Sequence, residues 1–281
     1  MTEENKPSNN IDSTINAATG LVKAIPIYDD LIQPAAKQIG RSLETLCKAV
    51  NVALAPISGA IWSYEQFQNF INNKVASNLK EVPPEDIITP KSSVAVPAIH
   101  ALSYTLDEEL LSDMYAKLLA SSMDRKSANG ALPAFVEMIK QLTSDEAKLM
   151  KLLILPQAFP LLFIRAQSKQ PDEGGYDVAT NVTLLGESAQ LSAPEMTPTY
   201  LDNLKRLGLI EIPGNYEYTD KSLYTQLENS RDVLAYKRQI AEWDLIFKST
   251  RSAVKLTSLG EHFGRICITG TGLRPTPPVS S

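Results

Sequence analysis

The sequence predicts a mainly α-helical protein: a multi-helix N-terminal region followed by an α+β C-terminal region. Three observations carry this. Apolar residues recur at three- and four-residue spacing over most of the first half, the period of a helix with one buried face. Helix-start signatures stand ahead of those runs. Short runs of β character bounded by glycine and proline enter only after Pro156.

A chain of 281 residues with 43% hydrophobic and 21% charged side chains has globular composition and enough material for a sizeable core. Its net charge of -5 argues against a protein built to grip phosphate backbones, which needs a surplus of Lys and Arg. Cys47 and Cys267 are far apart and flanked by apolar residues, the pattern of buried free thiols in a reducing compartment. Met1 to Asn10 is polar, with no apolar stretch after a basic start, so a cytoplasmic location is expected.

Residues 1–14 and 271–281, poor in apolar side chains and rich in Pro, Ser, Thr and Asn, are expected to be disordered tails. Between them the pattern suggests a helical domain over 15–142 and a second domain over 143–270. Leu43, Leu46, Val50, Leu54 and Ile57 make one apolar stripe, which Pro26, Pro34 and Pro56 divide into short or kinked helices. Trp62, Tyr64, Phe67, Phe70 and Ile71 continue a second apolar face. Thr105-Leu106-Asp107-Glu108 reads as a capping box for a helix through Leu110, Leu111, Met114, Leu118 and Leu119. Asn129-Gly130 marks a turn, Pro133 suits the first turn of the next helix, and Thr143-Ser144-Asp145-Glu146 is a second capping box.

After Pro156 the style changes. Phe159 to Ile164 is a short run compatible with a strand, and Asp172 to Gly175 reads as a loop. A helix from Pro198 is stopped by Gly208 and followed by a strand, Leu209 to Ile212. A long polar helix carrying Leu223, Leu227, Leu234 and Ile240 comes next, and β character returns near Val254, leading into Leu256-Thr257-Ser258-Leu259-Gly260. This order, "LKRLGLI" then "LTSLG", resembles a winged-helix domain in which a helical insertion, Thr219 to Glu242, replaces the simple wing.

The blocks "ALAPISGAIWSYEQFQNFI" at 53–71, "VPPEDIITPKSSVAVPAIHALSY" at 82–104, "DEELLSDMYAKLLASSMDRKSANGALPAFVEMIKQLTSDEAKLM" at 107–150 and "YLDNLKRLGLI" at 200–210 resemble, in that order, the abortive infection alpha (Abi-alpha) family. The resemblance implies a role in bacterial phage defence, in which an infected cell stops growing or dies before virus is released. It implies no catalytic residues, because the family's domain has no established biochemical activity.

No catalytic or metal-binding constellation is legible, so binding is favoured over catalysis and no cofactor is expected. His100 and His262 stand without a partner at metal spacing. Carboxylates such as Asp107, Glu108 and Asp145 fall in expected first helical turns, where the helix dipole favours them. Ser121 to Arg125, at a helix end, reads equally as a small polar site or as helix termination. Trp62, Tyr64, Phe67 and Phe70 are candidates for a surface that meets a protein partner, a second copy, or the inner membrane peripherally through residues 43–70. Lys205 and Arg206 are candidates for nucleic-acid contact. That partner is disfavoured by 14 basic against 16 acidic residues between 143 and 268. The reading is thus a non-enzymatic effector or sensor acting through protein–protein contact, triggered by an unidentified phage or host component.

Overall fold

The computed structural model describes residues 69–270, apart from Leu106, Pro171 and Asn215. The aromatic candidates Trp62, Tyr64 and Phe67, the stripe from Leu43 to Ile57, Cys47 and both expected tails lie outside the described residues. The architecture is mainly α with an α+β part. Helix α1 is π-helical over Phe70–Val75 and α-helical over Ala76–Asn78. It is followed by α2 (Ser92–Leu102), α3 (Glu109–Met123), α4 (Pro133–Lys140) and α5 (Ser144–Leu153). Strands β1 (Pro160–Gln167) and β2 (Gly175–Val182) come next, then α6 (Leu185–Ser188), α7 (Thr197–Arg206) and β3 (Ile210–Glu211). The remainder is α8 (Thr225–Glu228), α9 (Arg231–Glu242), β4 (Ile246–Ala253), β5 (Lys255–Leu256) and α10 (Ser258–Phe263), which runs on as a π-helix through Gly264–Thr269.

Helix α3 is the axis of the main core. It is buried nearly all round, including Ser112, Ser121 and Ser122, so it behaves as a central helix rather than an amphipathic surface one. Two of its polar groups are satisfied by the C-terminal π-helix, while Ser122 Oγ donates to the Leu119 carbonyl and Ser112 Oγ accepts from Lys74. Lys117 Nζ donates to the Ile268 carbonyl at 2.5 Å and Ser121 Oγ to the Ile266 carbonyl at 3.3 Å. One continuous core contains Phe70 near its start and Ile268 near its end.

The Thr143 capping box forms as the sequence indicates. Thr143 Oγ1 accepts from the Glu146 amide at 3.2 Å, and the Thr143 amide donates to Glu146 Oε2 at 2.7 Å. The box at Thr105 does not form. Helix α3 starts at Glu109, with Glu108 as an N-cap that makes no side-chain cap bond. Thr105 instead belongs to the turn ending α2, donating back to the Ala101 carbonyl, while Glu108 Oε2 accepts from Ser144 Oγ at 2.7 Å. A threonine one turn past a helix end finds its partner in the preceding carbonyls, and that local bond competes with capping. His100 sits in the last turn of α2, with Pro97 tolerated inside the helix.

The α+β part holds more strand than the sequence suggested. A three-stranded antiparallel sheet has the order β2-β1-β4. Its β1–β4 register is unbroken over Pro160↔Ala253 to Gln167↔Ile246, whereas β1–β2 is irregular near Ile164. One face of β1, carrying Leu162, Ile164 and Ala166, packs with Tyr224, Leu227, Val233 and Ile240 into a second core. The long polar helix is broken in two by Ser230, whose hydroxyl accepts from the Val233 amide as an N-cap.

The "LTSLG" motif has a direct physical reading. Thr257 Oγ1 accepts from the Gly260 amide at 2.9 Å and donates to the Gly208 carbonyl at 2.5 Å, while the Thr257 amide donates to the Leu209 carbonyl at 3.1 Å. Gly208 adopts φ +73, which ends α7 and aims β3 at β5. Gly260 passes so close to Leu209 that a Cβ would stand 1.9 Å from its carbonyl oxygen. Gly260→Ala is therefore expected to lower stability by about 2–4 kcal/mol in thermal or urea unfolding. Gly174→Ala, at a position with nothing within 4 Å of a Cβ, should stay within about 0.5 kcal/mol of the parent.

Candidate functional site

Between Ile212 and Val254, both in the main core, the chain makes an excursion that builds a groove. Its volume is about 610 Å3, and its lining is Gly214, Tyr216, Glu217, Glu228, Ser249, Thr250 and Arg251. Ser249 and Arg251 project on the face shared with Tyr224, since they pair across to Ile164 and Leu162; Thr250 projects on the other face. Lining by residues of both faces sets the groove on the outer edge of β4, with Gly214, Tyr216 and Glu217 as the opposite wall.

A tyrosine cluster fixes that wall. Tyr224 Oη accepts from the Tyr218 amide at 3.0 Å and donates to the Ser252 carbonyl at 2.9 Å, and Tyr218 Oη accepts from the Phe159 amide at 3.0 Å. Tyr216 meets Tyr218 edge-on at 5.7 Å and carries Lys255 Nζ at 4.9 Å from its ring centre. Arg251 lies over Tyr224 at 5.1 Å and donates from Nε to Glu228 Oε1 at 2.7 Å. Ser252 Oγ donates to the Pro213 carbonyl at 2.7 Å, tying the start of the wall to the strand.

The electrostatics follow from these contacts. The bond to Glu228 raises the Arg251 guanidinium above its usual range. The hydrogen bond from Lys221 lowers the Glu217 carboxyl. Burial raises the phenols of Tyr218 and Tyr224.

Among the described residues, those singled out from sequence fall elsewhere. Phe70 is 4% exposed and part of the main core. Lys205 and Arg206 lie on the exposed end of α7. Arg206 donates to Gln141 Oε1 at 2.9 Å and to Asn203 Oδ1 at 2.6 Å, and Asn203 donates to Glu146 Oε1 at 2.6 Å. Arg206 thus ties α7 to Gln141 at the C-cap of α4, and Asn203 ties it to the capping box of α5. In the Ser121–Arg125 stretch, Ser122 donates to the Leu119 carbonyl and Asp124 accepts from the Lys126 amide, which is helix termination. His262 Nε2 lies 2.8 Å from the Gly130 carbonyl and Nδ1 lies 2.6 Å from Arg265, a structural tie. Sequence reasoning missed the groove. Its one local signal was the alternation of Tyr216 and Tyr218 ahead of Tyr224.

Among the described residues, no group of three or more His, Cys, Asp or Glu could hold a metal ion, and no helix is long and apolar enough to cross a membrane.

Tyr224→Phe removes one acceptor and one donor from two backbone groups, and should cost about 1–3 kcal/mol in chemical denaturation. The alkaline limb of stability reports the same burial. Tyr115, Tyr218 and Tyr224 hold their protons in the folded chain after the unfolded chain has lost them. Stability should therefore be intact below about pH 10 and fall as pH rises through the folded-state values, read as unfolding coincident with tyrosinate absorbance.

A family model described as abortive infection alpha matches residues 63–267, well over half the chain. No curated protein matches it. Among solved structures it is similar to an uncharacterized protein from the hydrocarbon-degrading marine bacterium Alcanivorax borkumensis, with 22% identity and a TM-score of 0.31 over 46% of this chain and 89% of that one. The chain belongs to the abortive infection alpha family.

Proposed function

We propose that this abortive infection alpha protein is a non-enzymatic effector or sensor of phage defence that works by binding a protein partner in the groove beside β4. The family's description supports the setting, abortive infection. The observation that carries the mode of action is the groove itself: a strand edge faced by a tyrosine-braced wall. Its ionisable groups support binding over catalysis. Glu217 is lowered by Lys221 and Tyr224 is raised by burial. Both shifts lead away from the near-neutral values that serve a general acid or base.

Nucleic acid is the weaker partner on the same grounds. Arg206 is occupied by Gln141 and Asn203, and Arg251 is occupied by Glu228. A phosphate-gripping surface needs such cations free.

The reading is tested by expressing the protein in a sensitive host and following both phage plating and the mass of the purified protein by light scattering. Plating should fall relative to an empty vector, and mass should rise when lysate from infected cells is added. A monomer unchanged by any lysate contradicts the reading.

A further inference from the structure

Among the described residues, no strand pairs with the outer edge of β4 where it borders the groove. In an antiparallel pair, each residue turns both its N–H and its C=O to the same side, and the side alternates along the strand. The Val254 amide donates to the Phe159 carbonyl at 3.0 Å, in register with the unbroken Pro160↔Ala253 to Gln167↔Ile246 ladder. Residues 248, 250 and 252 therefore point their backbone groups at β1, and Ser249 and Arg251 point theirs outward. Among the described residues, no backbone bond joins Gly214, Tyr216 or Glu217 to that edge. The wall stands off, and the space between is the groove.

The opposite edge of the sheet differs. Strand β2 is irregular in register and carries Asn181 at φ 56. Such a kink blunts an edge against pairing. Strand β4 keeps a regular register through Ser249–Arg251, with no kink of that kind.

We infer that the outer edge of β4 at Ser249–Arg251 accepts an extended segment of a partner protein as an added strand, with a lysine or arginine side chain directed at Glu217. This deepens the protein-binding reading above and rests on it. Two residues of the same outward set stand about 7 Å apart along a strand, the repeat of an incoming strand's own donors and acceptors. The groove's volume of about 610 Å3 fits a short segment. Charge selects the side chain. The lining carries Glu217 and Glu228 against Arg251, and Glu228 is already spent on Arg251. Glu217 pairs with Lys221 through two side chains that are each 48% exposed, and the Arg251 charge adds to that pair from across the groove. Such exposed pairs are weak and exchange partners readily. Tyr216, fixed by Tyr218 and Lys255, offers a ring face for the flanking residue.

The test uses the full chain and a fluorescein-labelled hexapeptide of alternating valine and threonine with one central lysine. Comparison peptides carry a central glutamate, or N-methyl groups on alternate amides. Anisotropy should rise saturably with the lysine peptide, about tenfold more weakly with the glutamate peptide, and not at all with the N-methylated one. Glu217→Lys, a change at an exposed residue, should reverse the preference between lysine and glutamate peptides. Ser249→Pro deletes an outward amide without touching the β1 ladder and should abolish binding. If that variant unfolds, Glu217→Lys carries the result alone. Three outcomes overturn the inference: no binding of the lysine peptide to the folded parent, lysine and glutamate peptides bound alike, or a chain already dimeric through this edge that excludes the peptide. Should peptide binding fail while lysate still raises the protein's mass, the site is wrong and the protein-binding reading stands. Peptide binding with neither a mass shift nor phage protection leaves the site and removes the defence role.

Discussion

The close approach of Gly260 and Thr257 to the Leu209 carbonyl governs the second half of this molecule. The backbone leaves the core after Ile212 and returns at Val254, and this contact is where the two ends are held together. Thr257 bonds both Gly208 and Leu209, and Gly260 lets the first turn of α10 sit against the same peptide. With the ends fixed, the excursion between them can place α9 on one face of β1 and bring β4 alongside it. The groove is a product of that closure, since its two walls are the outgoing and returning limbs of one excursion.

A second constraint is the burial of α3. A helix enclosed on all sides cannot leave its serines and lysine unsatisfied, and the C-terminal π-helix supplies carbonyls to Lys117 and Ser121. Burial lowers the Lys117 ammonium below its usual range, which makes that carbonyl contact part of the cost balance of packing the helix. The same terminal segment buries Cys267 and raises its thiol, so this cysteine packs as a small apolar side chain.

The helical half was legible because its signals are local. Pro133 begins α4, Thr143 caps α5, and Gly208 ends α7, each within one turn of the residue that announces it. The failure at Thr105 has a local cause too: a hydroxyl that follows one helix closely bonds backward into it. Strand β1 was legible as the apolar run Phe159 to Ile164, but β2 and most of β4 were not, and for β4 the reason lies in its surroundings. Strand β4 reads Lys248, Ser249, Thr250, Arg251 and Ser252, with no apolar alternation, because one edge and part of both faces meet the groove. Of the aromatic candidates only Phe70 is among the described residues, and it belongs to the core, where Ile71 and Val75 are also buried. Arg206 reads as a free cation until Gln141, distant in sequence, is placed beside it.

The central claim is that β4 keeps one backbone edge open for a partner. Residue-resolved amide exchange on the labelled protein tests it most directly, first alone and then with lysate from infected cells. Ser249 and Arg251 should exchange fast while Thr250 and Ser252 stay protected, and lysate should slow the first pair selectively. Equal protection of all four in the free chain, or lysate protection that bypasses Ser249 and Arg251, contradicts the account.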